Sequence, residues 1–490
     1  MKKLLISALF VIPAMGIAQQ NVAPTTGETV GSPRGENKGT YNIVQSWEFG
    51  YRYALVGGDT GKYRSDVNYR NGFRLLTGNL TVNSTDGHGK WFDEIVLTTQ
   101  GLGNDPYESA VLRVQKNRLY RYDMTWRLNE YFNPGLTTAA GLHLANLSQR
   151  WQDHEITLFP QSKFRVRAGY GRNKQDGPAL STNNLFDNQR GDIFTLFSNV
   201  KREYNSYRIG GDAEWKGIRM TILRRWEFYK EDTPYSLYGT GAGLNTADAS
   251  TLTQYTRSAP IHGETPSWLG TISTEKKWFA VNGRISYANG NRGFVQNETA
   301  LGTSLLGAAN RQVITIGNAQ RPITNGDVNV TIFPTEKLTI TNSTSASNVR
   351  IDGNTALEQF DFATLQATVA YFQFLGTKLV TNSTDAHYHL TKKFDMFGGY
   401  RYSSREIRSI QSTTDPGTAF VNTLYSQENH NKAGFAGVNW IIAQPLRLHV
   451  EGELARNDRP LSAIDQANYH AIDARLQYRK RSVSASSGYK

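Results

Sequence analysis

Between Trp47 and Leu55 every second residue is large and apolar: Trp47, Phe49, Tyr51, Tyr53 and Leu55 alternate with Glu48, Gly50, Arg52 and Ala54. A period of two belongs to a strand, because successive side chains of an extended chain point to opposite faces. The same alternation returns in Tyr120, Tyr122, Met124, Trp126 and Leu128 against Arg121, Asp123, Thr125 and Arg127, and in Phe164, Val166, Ala168 and Tyr170 against Arg165 and Arg167. One face is aromatic and the other charged. Many such strands, joined by very short turns on one side, are the pattern of a closed barrel whose apolar face meets lipid. The expected fold class is all-β: a large antiparallel up-and-down transmembrane β-barrel of about 18 to 20 strands.

The N-terminus agrees with that address. Lys2 and Lys3 precede an apolar run from Leu4 to Ile12, and Gly16-Ile17-Ala18 supplies small residues at the positions a signal peptidase reads. The run is too short to span a bilayer. Residues 1–18 are expected to be a signal peptide and 19–40, rich in Gly, Pro, Thr and Asn, a disordered periplasmic leader. Residues 41–490 are expected to be the barrel, placed in the outer membrane of a Gram-negative cell.

The chain has no cysteine in 490 residues, which excludes disulfides, thiolate metal sites and covalent haem attachment. The 25 Tyr, 22 Phe, 9 Trp and 45 Gly, with few long aliphatic runs, suit a barrel with a polar lumen and aromatic girdles. The 54 Lys plus Arg against 42 Asp plus Glu give a net charge of +12. In a secreted barrel this basic excess attracts anions or lipopolysaccharide rather than nucleic acid.

Tight turns are expected at Lys116-Asn117-Arg118, Pro160-Gln161-Ser162-Lys163, Trp215-Lys216-Gly217, Glu275-Lys276-Lys277, Pro334-Thr335-Glu336, Thr391-Lys392-Lys393, Ala443-Gln444-Pro445 and Arg479-Lys480-Arg481. Successive turns leave room for a strand up, a long loop and a strand down, so the turns belong to the periplasmic side and the loops to the outside. Loops are expected at 173–199, 231–267, 291–322, 352–376 and 411–428, and the aromatic residues of 352–376 allow one more hairpin. The sequence stops directly after a tight turn, at Gly488-Tyr489-Lys490, which suggests that the barrel continues beyond it.

Chemical motifs are scarce. His387 and His389 share a strand face but have no third metal ligand nearby in sequence, so they are expected to be polar lumen residues, and neither a metal nor a cofactor is expected. No nucleophile elbow, zinc-protease helix or phosphate loop is present, and no enzymatic activity is expected. The Asn-Ser-Thr at Asn83, Asn342 and Asn382 matches a glycosylation acceptor, but here it is read as strand and turn polarity.

If the aromatic parity marks lipid, Trp47, Phe49, Tyr51, Tyr120, Tyr122, Trp126 and Tyr170 form the lipid-facing girdle. Arg52, Arg113, Arg121, Arg127, Arg165, Arg167, Arg284, Arg447 and Arg475 then face the lumen, with Glu48, Asp123, Glu451 and Asp473. That excess is either an anion-attracting channel or partner surface, or a set of cross-strand ion pairs that only stiffen the wall.

The run Phe49-Gly50-Tyr51-Arg52, followed by Gly61-Lys62-Tyr63-Arg64 and Asn71-Gly72-Phe73-Arg74-Leu75, resembles the N-terminal region of the MtrB/PioB type of outer-membrane barrel. That resemblance implies a sheath around a multihaem cytochrome. Members often carry a cysteine pair near the mature N-terminus, and this chain has none. Three functions are therefore carried forward: a porin-like channel for small anionic or polar solutes, which the basic lumen favours; a sheath for a multihaem cytochrome; and a ligand-capturing receptor, ranked last because the leader is too short for a folded plug. Outer-membrane lipid, lipopolysaccharide and the barrel assembly machinery are the expected partners in every case.

Overall fold

The computed structural model describes residues 35–135, 142–186, 192–245, 247, 250–414, 421–458, 468–480 and 483–489. The expected signal peptide and residues 19–34 of the leader lie outside them. The elements are β1 (Glu36–Lys38), β2 (Tyr41–Arg52), α1 (Thr60–Asp66), β3 (Gly72–Ser84), β4 (Glu94–Leu102), β5 (Tyr107–Lys116), β6 (Tyr120–Asn133), β7 (Ala145–Leu158), β8 (Phe164–Asn183), β9 (Phe194–Trp215), β10 (Ile218–Glu231), β11 (Tyr235–Leu237), β12 (Thr251–Ser258), β13 (Ile261–Glu275), β14 (Phe279–Ser304), β15 (Gly307–Thr335), β16 (Leu338–Asp361), β17 (Thr364–Thr391), β18 (Phe394–Thr414), β19 (Val421–Ala443), β20 (Leu446–Asp458), β21 (Asn468–Lys480) and β22 (Val483–Tyr489).

All 22 strands belong to one antiparallel sheet, and apart from β10 to β13 each pairs with its neighbours in sequence, so the chain is a large up-and-down β-barrel meander. β10 and β11 both pair with β9, in continuous register on either side of Pro234. β12 and β13 likewise share β14 on either side of Pro260. Proline has no N–H to give to the ladder and interrupts each stave without shifting it. Among the described residues the two margins, β2 and β22, are not paired with each other; β1 covers the start of the β2 edge through Glu36↔Ile43 and Lys38↔Tyr41.

The expected tight turns that lie wholly within the described residues fall at one end of the sheet, and Arg481 of the last turn lies outside them. Lys216 and Gly217, at φ 49° and 76°, show the two left-handed residues of a two-residue hairpin whose twist matches the strands. The other end differs from expectation. Residues 291–322 and 352–376 are not loops: β14 and β15 continue to a turn at Leu305-Leu306, and β16 and β17 to a turn at Phe362-Ala363. The aromatic residues of 352–376 lengthen an existing hairpin and do not add one. These strands hold 26, 29, 24 and 28 residues, where crossing a bilayer takes roughly 9–11. The polar residues read as loop instead stand as tall ribbons, because a hairpin keeps every backbone group paired whatever its side chains are.

The first alternating run also ends earlier than its pattern. β2 stops at Arg52, and Tyr53 and Leu55 lie beyond it, ahead of the helix α1. Asp59 caps α1 by accepting from the Lys62 amide at 3.0 Å. This helix has a structural cause in the short hairpin β4–β5. β6 runs past it: Tyr107 pairs with Asn129, Glu130 donates to the Pro106 carbonyl at 2.8 Å, and above that the β6 edge has no strand beside it. The α1 segment fills this notch. Asn68 donates to the Glu130 carbonyl at 3.1 Å, Arg64 lies 3.9 Å above the Phe132 ring and donates to Asn146 at 3.0 Å, and Arg70 pairs with the Glu130 carboxylate. Burial, and then the nearby charge of Arg70, pulls the Arg64 guanidinium below its ordinary pKa, while Glu130 opposes them.

Below the helix, Arg74 is only 1% exposed, ion-paired with Asp105 and donating to the Arg70 carbonyl at 2.6 Å. Removing one partner of a buried pair strands the other charge. Arg74→Leu is therefore expected to lower the unfolding free energy by ~3 kcal/mol. The measurement is the urea midpoint of the detergent-solubilised barrel, and an unchanged midpoint would refute the seal.

Candidate functional site

The strand register carries the sequence parity around the sheet. Met124, His154, Tyr170, Tyr207 and Trp226 lie opposite one another on five successive strands and define one face. Tyr122 hydrogen-bonds His154 at 2.8 Å, His154 stacks on Tyr170 at 6.1 Å, and Tyr170 meets Tyr207 at 5.2 Å. The proposed girdle residues Tyr120, Tyr122, Trp126 and Tyr170 share this face, as does Trp47 through the row Gln45, Leu80, Leu97, Leu112 and Met124. Phe49 and Tyr51 are exposed, and Phe49 stacks on Phe73 at 5.7 Å.

The opposite face holds the arginines, and most are not free. Asp123 accepts from both Arg113 (2.8 Å) and Arg121 (2.6 Å). Asp212 accepts from Arg167 (2.9 Å), holds Arg165 at 3.5 Å and takes a hydrogen bond from Thr221. Arg475 pairs with Asp473 at 2.7 Å. Arg52 lies 3.7 Å above the Tyr69 ring and Arg127 lies 5.6 Å from that of Trp151. Arg284 faces Asp327, and Arg447 faces Gln477, across their strand pairs. The cross-strand pairing reading thus describes much of the wall, and the arginine excess is smaller in space than in sequence.

Parity alone, extended to β9, would have found the residue at the centre of this wall. Arg208 alternates with Tyr207 and Ile209, as Arg121 does with its aromatic neighbours. Its guanidinium donates to Asp153 at 2.6 and 2.8 Å and to Glu155 at 3.1 Å. It lies flat over Gly169, where a Cβ would occupy the space of the guanidinium. With Trp151, Tyr204, Leu223, Arg225 and Glu227 it lines a recess of about 610 Å³.

Across the sheet a second cluster stands on the same face. Phe397 lies between His387 and His449, stacked at 5.7 and 5.6 Å, and reaches His449 by crossing Gly437. Arg401 covers the Phe435 ring at 4.0 Å, and Glu453 accepts from Tyr469 at 2.7 Å. His389 bonds Asp395 at 2.7 Å. The two histidines share a face, as expected, but each is engaged by a different neighbour.

At the end away from the tight turns, this face is covered. Leu185 and Phe186, which follow β8, pack onto Phe194, Leu196, Leu252, Tyr255 and Ala300, all buried. Arg311 fastens the plate by donating to the Leu185 carbonyl at 3.0 Å and pairing with Glu298, which also accepts from Tyr255 at 3.0 Å. It is the one well-packed hydrophobic core among the described residues.

No family model and no curated protein matches the chain. Among solved structures the chain is similar in fold to the copper transporter OprC, at 9% identity and a TM-score of 0.34, over 78% of this chain and 64% of that one. It is also similar to the ferric yersiniabactin uptake receptor FyuA from Yersinia pestis, at 10% identity and 0.38, over 84% and 73%. A third is the alcaligin outer-membrane receptor FauA from Bordetella pertussis, at 9% and 0.30, over 88% and 84%. The chain thus spans less than two thirds of the copper transporter's length.

Arg208 is 13% exposed and serves two carboxylates. Arg208→Gln is expected to cost ~2 kcal/mol, because the two partly buried carboxylates of Asp153 and Glu155 lose their shared cation and repel each other. Arg208→Lys is expected to recover only part of it, since an ammonium lacks the planar fork. Urea midpoints for the three proteins check this, and a lysine variant equal to wild type would refute the bridging role.

Proposed function

We propose that the chain is a Gram-negative outer-membrane barrel, with its apolar face in lipid and its charged face lining the lumen, and that it captures a polar ligand at its exterior mouth for uptake. Ile222, Ile285, Leu454 and Ile472 support the lipid assignment. All four stand on the apolar face at 58–63% exposure, where a soluble protein would bury them. Barrels of this strand number enclose a lumen too wide for side chains to fill.

The observation that favours capture over free passage is the packed plate at Leu185, Phe194, Leu252 and Tyr255, pinned by Arg311 and Glu298 on the lumen face. A plate of this kind narrows the mouth and gives it a built surface. The ion-paired wall argues in the same direction. Arg113, Arg121, Arg165, Arg167, Arg208 and Arg225 share Asp123, Asp153, Glu155, Asp212 and Glu227, so the field that would select anions is largely cancelled. The order of the three functions drawn from sequence changes accordingly, and the receptor reading moves ahead of the porin. The sheath reading would place a multihaem cytochrome against this same wall, and co-purification of a haem protein would favour it.

Two measurements test the proposal. In intact membranes a water-soluble thiol reagent is expected to modify Arg127→Cys and spare Trp126→Cys; the reverse would overturn the face assignment. In planar bilayers the purified barrel is expected to conduct little and without strong ion preference, and Arg311→Ala, which unpins the plate, to raise conductance several-fold. A large anion-selective conductance in wild type would overturn capture and restore the porin.

A further inference from the structure

Just above the aromatic belt, the apolar face carries a polar recess that neither the wall nor the mouth uses. Arg224 lies 5.0 Å from the Trp226 ring and 4.9 Å from that of Trp268. Indoles covered by an arginine suit the level where hydrocarbon gives way to headgroups. Two and four residues further along β10 come Phe228 and Lys230, on the same face as Trp226. The register places His262 opposite Lys230, Gly293 opposite His262, and Asn318 opposite Gly293. Phe228, Lys230, His262, Asn291, Gly293 and Asn318 line a recess of about 650 Å³.

Its donors are available. Among the described residues, Lys230, His262, Asn291 and Asn318 have no side-chain partner, whereas the neighbouring Asn205 is held by Tyr170 and Glu203. One cation, one imidazole and two amides, all uncommitted, converge on a concavity that opens sideways, toward the membrane, at headgroup depth. The chemistry such a set recognises is a phosphate carried on a sugar: the Lys230 ammonium and an imidazole N–H of His262 meet the phosphate, and the amides and Glu264, also at the recess, meet the hydroxyls. Phe228 and the belt below would meet the acyl chains.

We propose that this recess binds the phosphorylated, acylated sugar headgroup of an outer-leaflet glycolipid, the lipid A part of lipopolysaccharide. The proposal rests on the outer-membrane reading above and adds a specific ligand to it. Gly293 provides the control. A Cβ there meets nothing nearer than the Gly317 carbonyl oxygen at 3.8 Å, so a larger side chain fills the recess without straining the strand.

The test is binding to the purified full chain in detergent micelles. The probes are diphosphorylated lipid A, the same lipid A without phosphate, and inorganic phosphate. Wild type is expected to bind diphosphorylated lipid A at least tenfold more tightly than the dephosphorylated form. The double variant Lys230→Gln with His262→Gln is expected to lose about tenfold, and Gly293→Leu to lose binding, both with unchanged urea midpoints. Equal binding by wild type and both variants would overturn the site, and inorganic phosphate binding as tightly as lipid A would reduce it to a free-anion site. The Trp126 and Arg127 labelling is independent of this result: if labelling succeeds and lipid A binding fails, only this inference falls.

Discussion

The sheet depends first on the requirement that every backbone N–H and C=O find a partner within the wall, a requirement made strict by the proposed membrane setting, since hydrocarbon supplies none. Between most strands the ladder meets it. Where the short β4–β5 hairpin leaves the upper edge of β6 open, Asn68 takes the Glu130 carbonyl and the α1 segment closes the gap with Arg64, Arg70 and Arg74. A helix in an otherwise all-β chain is thus a consequence of one hairpin ending early. Covering a free edge in this way also denies it to other chains. Arg64 and Arg74, two of the three arginines in the runs on which the expectation of a cytochrome sheath rested, are occupied by this closure.

The charged face follows a second rule. Arginine is tolerated at high density on a wall because its planar fork spans two acceptors, so each carboxylate and guanidinium offsets more than one neighbour. Asp123 between Arg113 and Arg121, and Arg208 between Asp153 and Glu155, are mirror cases of this. Pairs that remain partly solvated stabilise the wall by little individually, roughly 0.2–1 kcal/mol each. Their larger effect is on the potential of the charged face, which falls well below what the count of arginines suggests.

The strand parity and the tight turns were legible in the sequence because each depends on residues within one strand or one turn. Tyr122 and Asp123 declare opposite faces without reference to any other strand, and Lys216-Gly217 declares its turn locally. The tall ribbons were not legible, since Asn, Thr and Gly in 291–322 read as loop until a partner strand is known. Nor was the pairing of the wall: Arg208 and Asp153 are 55 residues apart, and nothing within either strand points to the other. The plate is harder still, because it joins Leu185, Leu252 and Ala300 from three separate segments.

Two of the polar clusters on the apolar face differ in a way that separates structure from binding. On β16 and β17, Asn342 donates to Thr384 at 2.7 Å and to Asn382 at 3.4 Å, while Asn382 donates to Thr344 at 2.7 Å and back to Asn342 at 3.3 Å. Thr344 donates to the Asn342 side-chain Oδ1 at 3.0 Å. Both amides spend both hydrogens within the cluster. A polar group so satisfied sits beside lipid at modest cost and asks for no ligand. Two of the three Asn-Ser-Thr sequences, those at Asn342 and Asn382, are thereby explained as a cross-strand ladder, which agrees with reading them as strand polarity. Around Gly293 the opposite holds: among the described residues Lys230, His262, Asn291 and Asn318 have no side-chain partner and line a recess, which the proposed membrane placement sets at the depth where phosphate is available. Groups left unpaired beside a bilayer are costly in its core and useful only at its surface, and on the proposed placement the belt of Trp226 and Trp268 sets these four at that surface.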